Sequence, residues 1–186
     1  VTILVSVIAI LIGVALGTIL ALMRLTAEQK GKSTLLSKIA YVYIDIIRGT
    51  PLLVQTFIIY YGLAQSLKPL GFSWSNIGGP FTAGVVALSL NAGAYMAEII
   101  RGGIQSVDKG QMEAARSLGL PYFKAMRRVI LPQAFLTMLP SMINQFIITL
   151  KDTSLISIIG IRELTQNGKI IAANAASMVM SVWLVV

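Results

Sequence analysis

The stretch VTILVSVIAILIGVALGTILALM, residues 1–23, is apolar almost throughout and contains no charged side chain. An α-helix rises about 1.5 Å per residue, so about 20 residues cross the hydrocarbon core of a bilayer. The stretch therefore predicts a transmembrane helix. Gly13 and Gly17 are four positions apart within it. That spacing either allows a second helix to approach closely or reflects the ordinary tolerance of membrane helices for glycine.

The composition of the whole chain points the same way. Of its 186 residues, 56% are hydrophobic and 12% are charged, and the mean hydropathy is +0.81. A soluble domain of this size carries about 25% charged residues. The chain has no cysteine and no histidine, which excludes disulfides, thiol nucleophiles, imidazole bases and the usual zinc sites. We expect no metal, no cofactor and no catalytic residue in this chain.

Further apolar blocks follow the first one. An amphipathic helix is predicted over 34–51, lying at the membrane interface and ended by Gly49 and Pro51. The first block and the later ones predict about five transmembrane helices, the later ones being 52–67, 81–100, about 133–150 and 172–186. The expected fold class is all-α: a polytopic integral membrane helical bundle, with one domain over 1–186. Both ends lie inside apolar runs, so we expect the chain to continue beyond them.

The positive charges predict the orientation of the bundle. Segments 24–50 and 101–132 hold eleven Lys and Arg residues, against four in segments 68–80 and 151–171. Positively charged segments stay in the cytoplasm, so the first pair should face inward. Trp74, between the second and third blocks, suits the outer interface. The net charge of +8 then reflects contact with membrane lipid, and no nucleic-acid partner is expected.

Gly31-Lys32-Ser33 has the letters of a phosphate-binding loop. Such a loop needs a glycine five residues before the Gly-Lys pair and a hydrophobic strand ahead of it. Thr26 occupies that glycine position, and the preceding segment is predicted to be helical. The sequence therefore predicts a solvated polar loop, with Lys30 beside it, and not an ATPase site.

The second basic segment, about 101–133, contains GQMEAARSLGLPYFKAMRRVILPQA at 110–134. Met112 to Leu118 is predicted to be a short helix, ended by Gly119 and Pro121. Ala114 and Ala115 give it a smooth surface that another protein could bury, rimmed by Glu113 and Arg116. A second amphipathic piece, 122–131, is expected to end at Pro132. From these properties alone, a solvated loop and a docking site are both open.

The spacing of that segment resembles the EAA loop of ATP-binding-cassette (ABC) importer permeases. Glu113-Ala114-Ala115 is followed after three residues by Gly119, and after nine more by Val129, one further residue and Leu131-Pro132. Val129 stands where that pattern has isoleucine. Three other stretches resemble permeases of polar amino-acid importers: RGTPLLVQ at 48–55, AYMAEIIRGGIQSV at 94–107 and LKDTSLISIIGIREL at 150–164.

The resemblance implies a type I importer permease in the bacterial cytoplasmic (inner) membrane. Such a permease pairs with a second copy or a homologue. Two ATPase subunits, which bind ATP and magnesium, dock on the EAA loops, and an extracytoplasmic binding protein delivers the amino acid. The residues expected to couple to the ATPase are Glu113, Ala114, Ala115, Arg116, Gly119 and Pro121. The chain itself would not be an enzyme.

Two sets of polar side chains interrupt the apolar blocks. Placing such groups inside a membrane costs free energy, so they usually have a structural or functional role. Asn91, Tyr95 and Glu98 share one helix face and could bind an amino group or a polar side chain. The alternative for Glu98 is an ion pair with Arg101, one turn along the helix.

Gln145, Thr149 and Asp152 share a face of the fourth block. There the alternative is an interfacial pair of Lys151 with Asp152. Two acidic residues suit a cationic amino acid, and a neutral polar one stays open.

Other functions also stay open. A permease for a different small solute would share the EAA loop. A membrane channel or scaffold subunit would have no use for that loop, and a membrane enzyme would lack the usual catalytic side chains.

Overall fold

A computed structural model describes residues 1–29, 31, 33–174 and 179–185, and the regular elements it describes are helices. A short 3₁₀ turn, Trp74–Ile77, lies between the third and fourth helices. Numbered in chain order, the helices are α1 Thr2–Gln29, α2 Leu35–Gly49, α3 Leu52–Leu70, α4 Gly79–Gln105, α5 Lys109–Ser117, α6 Tyr122–Ile159, α7 Leu164–Asn174 and α8 Val179–Val185.

The expected all-α membrane fold is confirmed. Helices α1, α4 and α6 are each long and apolar enough to cross a membrane, and α2 with α3 makes a fourth span if the bent pair counts as one. The expected fifth block, 172–186, falls on the end of α7 and on α8. Residues 175–178 and 186 of that block lie outside the described part of the chain.

Helix α1 packs along α4 through small side chains, in the most extensive helix contact of the bundle. A Cβ atom added at Gly17 would lie 2.6 Å from the Cβ of Met96 and 2.8 Å from the backbone nitrogen of Ala97. One added at Gly93 would lie 2.7 Å from Leu16 Cδ2. The close approach suggested by Gly13 and Gly17 is therefore confirmed. In a bilayer, such close packing drives helix association, because burial of apolar surface gives no advantage over lipid.

Helix α2 begins with a capping box, in which the Thr34 side chain accepts a hydrogen bond from the backbone N–H of Ser37. Gly49 ends it, as predicted, and α3 leaves at an angle of 109° after Pro51. The buried face of α2 consists of Ser37, Ala40 and Ile44. An apolar stripe of this amphipathic helix points outward and consists of four residues that are each more than half exposed: Leu35, Ile39, Val42 and Ile46. That stripe faces the surroundings of the bundle, where acyl chains can cover it.

Trp74 belongs to a buried cluster at the end of the bundle where α4 begins. The cluster includes residues of α1, α3 and the 3₁₀ turn that ends α6, Thr153–Ile159. Its indole Nε1–H donates to the carbonyl oxygens of Ile59 (3.2 Å) and Tyr60 (3.0 Å), inside a π-helical turn of α3, Ile58–Gly62. A π turn breaks the regular bonding of a helix and leaves carbonyls to be satisfied. Trp74 therefore bonds the irregular turn from inside the bundle, and its indole is covered by the protein. The interfacial position stays a prediction.

Helix α6 is one continuous helical segment from Tyr122 to Ile159, so the helix end predicted at Pro132 is wrong. A π-helical turn over Met126–Ile130 precedes the proline, and the N–H of Leu131 donates to the Met126 carbonyl. The wider turn accommodates the ring and the missing N–H of Pro132, which otherwise breaks or kinks a helix. The basic segment is therefore shorter than predicted, because α4 already covers its start and α6 its end.

The two segments richest in positive charge meet at one end of the bundle. A cavity of about 660 Å³ there is lined by residues from the end of α1, the end of α4, α5 and the start of α6. We refer to this end, which carries Arg24, Arg101 and α5, as the basic end. The connections rich in positive charge thus lie at one end of the molecule, and those with few positive charges lie at the other, as the alternation along the sequence predicted.

Replacing Gly17 with alanine should destabilise the protein, because the added methyl group meets Met96 and the backbone of Ala97. Overpacking of this kind costs about 1–3 kcal/mol. Gly102→Ala is the matched control, since nothing lies within 4 Å of a Cβ atom added there. Thermal unfolding of the purified protein in detergent should show a lower midpoint for Gly17→Ala alone. Equal midpoints for the two variants would contradict the packing described for α1 and α4.

Candidate functional site

Helix α5 is a short, firmly ended helix at the basic end. Asp108 begins it, and its side chain accepts a hydrogen bond from the N–H of Gly110 at 2.6 Å. At the other end Gly119 has φ +84°, the left-handed region that favours glycine. The N–H of Gly119 donates to the Arg116 carbonyl, and the N–H of Leu120 donates to the Ala115 carbonyl. These two bonds form a Schellman motif. The helix end predicted at Gly119 is confirmed.

The outward surface of α5 differs from the predicted one. Glu113, Ala114, Arg116 and Pro121 are exposed, as expected for residues that another protein could contact. Ala115 is only 4% exposed. It faces the chain itself, because α5 packs on the start of α6. Ala115 therefore does not lie on the outward surface of α5, where the sequence analysis placed it, and its small side chain serves the internal packing. Its role in coupling stays a prediction.

Two large apolar side chains lie fully outward where α5 ends and α6 begins. Leu118 is 84% exposed and Phe123 is 85% exposed. We call this pair the tip patch. The Schellman motif fixes the backbone immediately after Leu118, so the patch sits on rigid structure. Single exposed apolar residues are ordinary in proteins, whereas two large ones where one capped helix ends and the next begins mark a candidate contact surface.

The first set of polar side chains, on α4, lies among basic groups of three helices. Glu98 Oε1 pairs with Arg24 of α1, and Glu98 Oε2 lies 2.7 Å from Arg101 Nη2 and 3.9 Å from Arg48 Nη1 of α2. The guanidinium of Arg48 also stacks over the Tyr95 ring, 5.3 Å from its centroid. The Glu98–Arg101 pair named as an alternative is present. Glu98 thus neutralises part of the charge of three arginines and joins α1, α2 and α4.

Asn91, the third member of that set, is buried and bonded to another helix. Its Nδ2 donates to the Oε1 of Gln55, on α3, at 3.0 Å. Gln55 was missed by reasoning from the sequence. The signal available was a single amide in the apolar stretch LLVQTFIIYY, 52–61, directly after the Pro51 break.

The second polar set lies on α6 and bonds along its own helix. Gln145 and Thr149 are buried, and the Thr149 hydroxyl donates to the Gln145 carbonyl at 2.9 Å. Thr153, one turn further on, continues the same buried face. Asp152, at the end of the α-helical part of α6, is partly buried and forms no ion pair among the described residues. The Lys151–Asp152 pair named as an alternative is therefore not formed.

Glu163 is a second residue that the sequence did not single out. It is 2% exposed, and its two carboxylate oxygens accept hydrogen bonds from the N–H groups of Thr165 (2.8 Å) and Gln166 (2.7 Å). It therefore caps the start of α7, where a carboxylate is favoured by the unpaired N–H groups and the helix dipole. An acidic residue directly before a new helical segment was the signal for this role.

The segment around Gly31 does not have the structure of a phosphate-binding loop. Helix α1 precedes it where such a loop follows a strand, and Ser33 is exposed. Lys30 and Lys32 lie outside the described residues.

Comparison with known proteins agrees with this architecture. Residues 13–186 match the family described as "Binding-protein-dependent transport system inner membrane component". The chain belongs to this family. It is therefore a permease of the inner membrane, and the resemblance seen in the sequence is confirmed.

This permease is similar in sequence to permeases of three transport systems. It is 46% identical over 165 residues to the nopaline transport system permease of Agrobacterium fabrum, covering 87% of this chain and 66% of that protein. It is 43% identical over 164 residues to the glutamine transport system permease of Escherichia coli, covering 88% and 72%. The arginine transport system permease of Bacillus subtilis is 40% identical over 166 residues, covering 89% and 70%.

A solved structure has the same fold. The crystal structure of an amino acid ABC transporter with histidines superposes with a TM-score of 0.80 at 41% identity. The alignment covers 99% of this chain and 83% of that one. The permease therefore shares with that transporter chain both its helices and their arrangement.

Replacing Glu98 with glutamine should destabilise the permease, because three arginines on three helices lose their shared carboxylate. Removal of one partner from a fully buried ion pair costs about 3–5 kcal/mol, and partial exposure reduces that figure here to about 1–3 kcal/mol. Glu113→Gln, on the exposed face of α5, is the control. Thermal unfolding of the isolated permease should show a lower midpoint for Glu98→Gln only. An unchanged midpoint would mean that the cluster does not join α1, α2 and α4.

Proposed function

We propose that this permease is the membrane subunit of an ATP-driven importer of polar amino acids. The substrate class is supported by the names of the relatives, which transport glutamine, arginine and nopaline. It is also supported by the likeness to a chain of an amino acid ABC transporter. All of these solutes carry charged or strongly polar groups that cannot cross a bilayer unaided.

The coupling to ATP is proposed to occur through α5. The observation that carries this step is the tip patch, in which Leu118 and Phe123 present two large apolar surfaces on a rigid, capped helix end. Short helices that enter a groove of a partner act through such anchor residues. Arg116, Glu113 and Ala114 would surround the patch, and Gly119 and Pro121 would hold its shape.

The rest of the machinery is proposed to lie on other chains. ATPase subunits would bind ATP and its magnesium ion and dock on α5 of each of two permeases, either identical or homologous. A binding protein would deliver the amino acid at the opposite end of the bundle. The basic end would then face the cytoplasm, in agreement with the distribution of positive charge. The permease itself would perform no chemistry.

The transport path is proposed to involve the polar face of α6. Glu98 is already surrounded by three arginines, so it is poorly suited to receive a cationic amino acid. Asp152 keeps a carboxylate with no ion-pair partner among the described residues. Gln145 and Thr149 lie on the same side of α6 and offer amide and hydroxyl groups to a polar solute.

Replacing either residue of the tip patch with aspartate should weaken the complex with the ATPase. Anchor residues contribute about 2 kcal/mol or more, which corresponds to a loss of affinity of roughly thirtyfold. Leu70→Asp is the matched control, since Leu70 is 82% exposed at the opposite end of the bundle. The affinity of the purified permease for the ATPase should fall for Leu118→Asp and Phe123→Asp and stay unchanged for the control. Equal affinities for all three variants would mean that the ATPase docks elsewhere.

Uptake of a panel of amino acids by the assembled importer tests the substrate class. Polar amino acids should be taken up only when the binding protein is present. If Asp152 lines the path, Asp152→Asn should lower arginine uptake relative to glutamine uptake about tenfold, a difference of about 1.4 kcal/mol. Asp45→Asn, an exposed aspartate on α2, should leave the ratio unchanged. An unchanged ratio in Asp152→Asn would remove Asp152 from the path. Uptake of none of the panel by the unmodified importer would contradict the substrate class itself.

A further inference from the structure

The break between α2 and α3 leaves backbone carbonyls without their usual partners. In a regular helix the Ile47 carbonyl would accept a hydrogen bond from the N–H of residue 51, and Pro51 has no N–H. The side chain of Gln55 supplies the missing donor. Its Nε2 lies 2.7 Å from the Ile47 oxygen, 3.0 Å from the Thr50 carbonyl oxygen and 2.9 Å from Thr50 Oγ1.

The other end of the same amide is bonded to α4. Because the Gln55 nitrogen must face the carbonyl acceptors, its oxygen points the opposite way. That oxygen accepts a hydrogen bond from Asn91 Nδ2 at 3.0 Å, across a sequence separation of 36 residues. Both side chains are buried, with Gln55 6% exposed. A chain of two amides therefore leads from the middle of α4 to the carboxyl end of α2.

A second contact ties α2 to α4 on the same side. Arg48, in the last turn of α2, approaches Glu98 and stacks on Tyr95, both on α4. Asn91, Tyr95 and Glu98 follow one another along a single face of α4. The end of α2 is thus held to that face at two points, whereas the direction of α3 is set at the break between them.

We propose that Gln55 is the positioning residue that sets the bend between α2 and α3 and fastens it to α4, and that Asn91 acts through Gln55 and does not bind the transported solute. The physical reason is the cost of an unpaired backbone carbonyl away from water, which makes the bent geometry depend on one amide donor. This inference rests on the proposed transport function. It replaces the substrate-binding role that the sequence suggested for Asn91.

The test uses the importer assembled with its ATPase and binding protein in liposomes, and the unmodified importer is measured first. Absence of amino-acid uptake by the unmodified importer would contradict the proposed transport function, and not the role proposed for Gln55. Gln55→Leu removes both bonds of the amide, and Asn91→Leu removes the donor on α4. Gln65→Leu is the control, because Gln65 is an exposed glutamine on the same helix as Gln55.

We expect Gln55→Leu to lower the maximal uptake rate about tenfold while the KM for the amino acid stays unchanged. Asn91→Leu should lower the rate in the same way, and the double variant should be no slower than Gln55→Leu, because both changes break one connection. Hydrogen exchange of the backbone amides around the break should be faster in each variant. Gln55→Glu keeps the shape of the side chain and places an oxygen against the carbonyls. Its maximal uptake rate should also be lowered, which tests the inference even if Gln55→Leu does not fold.

Two results would overturn the inference. The first is an Asn91→Leu variant with a raised KM or altered selectivity alongside an unaffected Gln55→Leu, which would make Asn91 a solute ligand. The second is a double variant whose loss equals the product of the two single losses, which would show that the residues act independently.

Discussion

The absence of water inside a bilayer is the constraint on which this structure depends. Each interruption of a membrane helix leaves backbone groups that only the protein itself can satisfy. Among the described residues, three irregular positions show specific solutions. Gln55 bonds the carbonyls freed at Pro51, Trp74 bonds those of the π turn in α3, and a second π turn accommodates Pro132. Side-chain hydrogen bonds from Gln55 and Trp74 therefore fix two of these positions, and the third is accommodated within its own helix.

Contacts between helices connect the spans of the bundle to one another. Small residues hold α1 against α4, and Glu98 joins both helices to α2 through three arginines. Helix α5 follows α4 after a short connection and ends in the tip patch, and α6 continues from that end across the membrane. A partner that moves α5 would therefore act on two spans at once. This arrangement suits a protein whose proposed energy source lies on another chain.

Much of the fold could be predicted from the sequence, because apolar length and glycine position are local signals. The spans of α1 and α4, the end of α2 at Gly49 and the left-handed Gly119 all follow from a few neighbouring residues. The roles of Gln55 and Trp74 could not be predicted, because their partners are distant in the sequence or lie in an unexpected π turn. The burial of Ala115 also depends on tertiary contact. A run of small residues on a short helix does not reveal which of them faces inward.

In the proposed function, ATP on one side of the membrane is used by a partner at α5 and drives amino acids inward from the other side. The most direct measurement is uptake into liposomes that contain the permease and its ATPase, with the binding protein outside and ATP enclosed. For complexes whose α5 faces the lumen, we expect concentrative uptake when ATP is enclosed and none when ATP is present only outside. Equal accumulation without ATP, or without the ATPase, would contradict it.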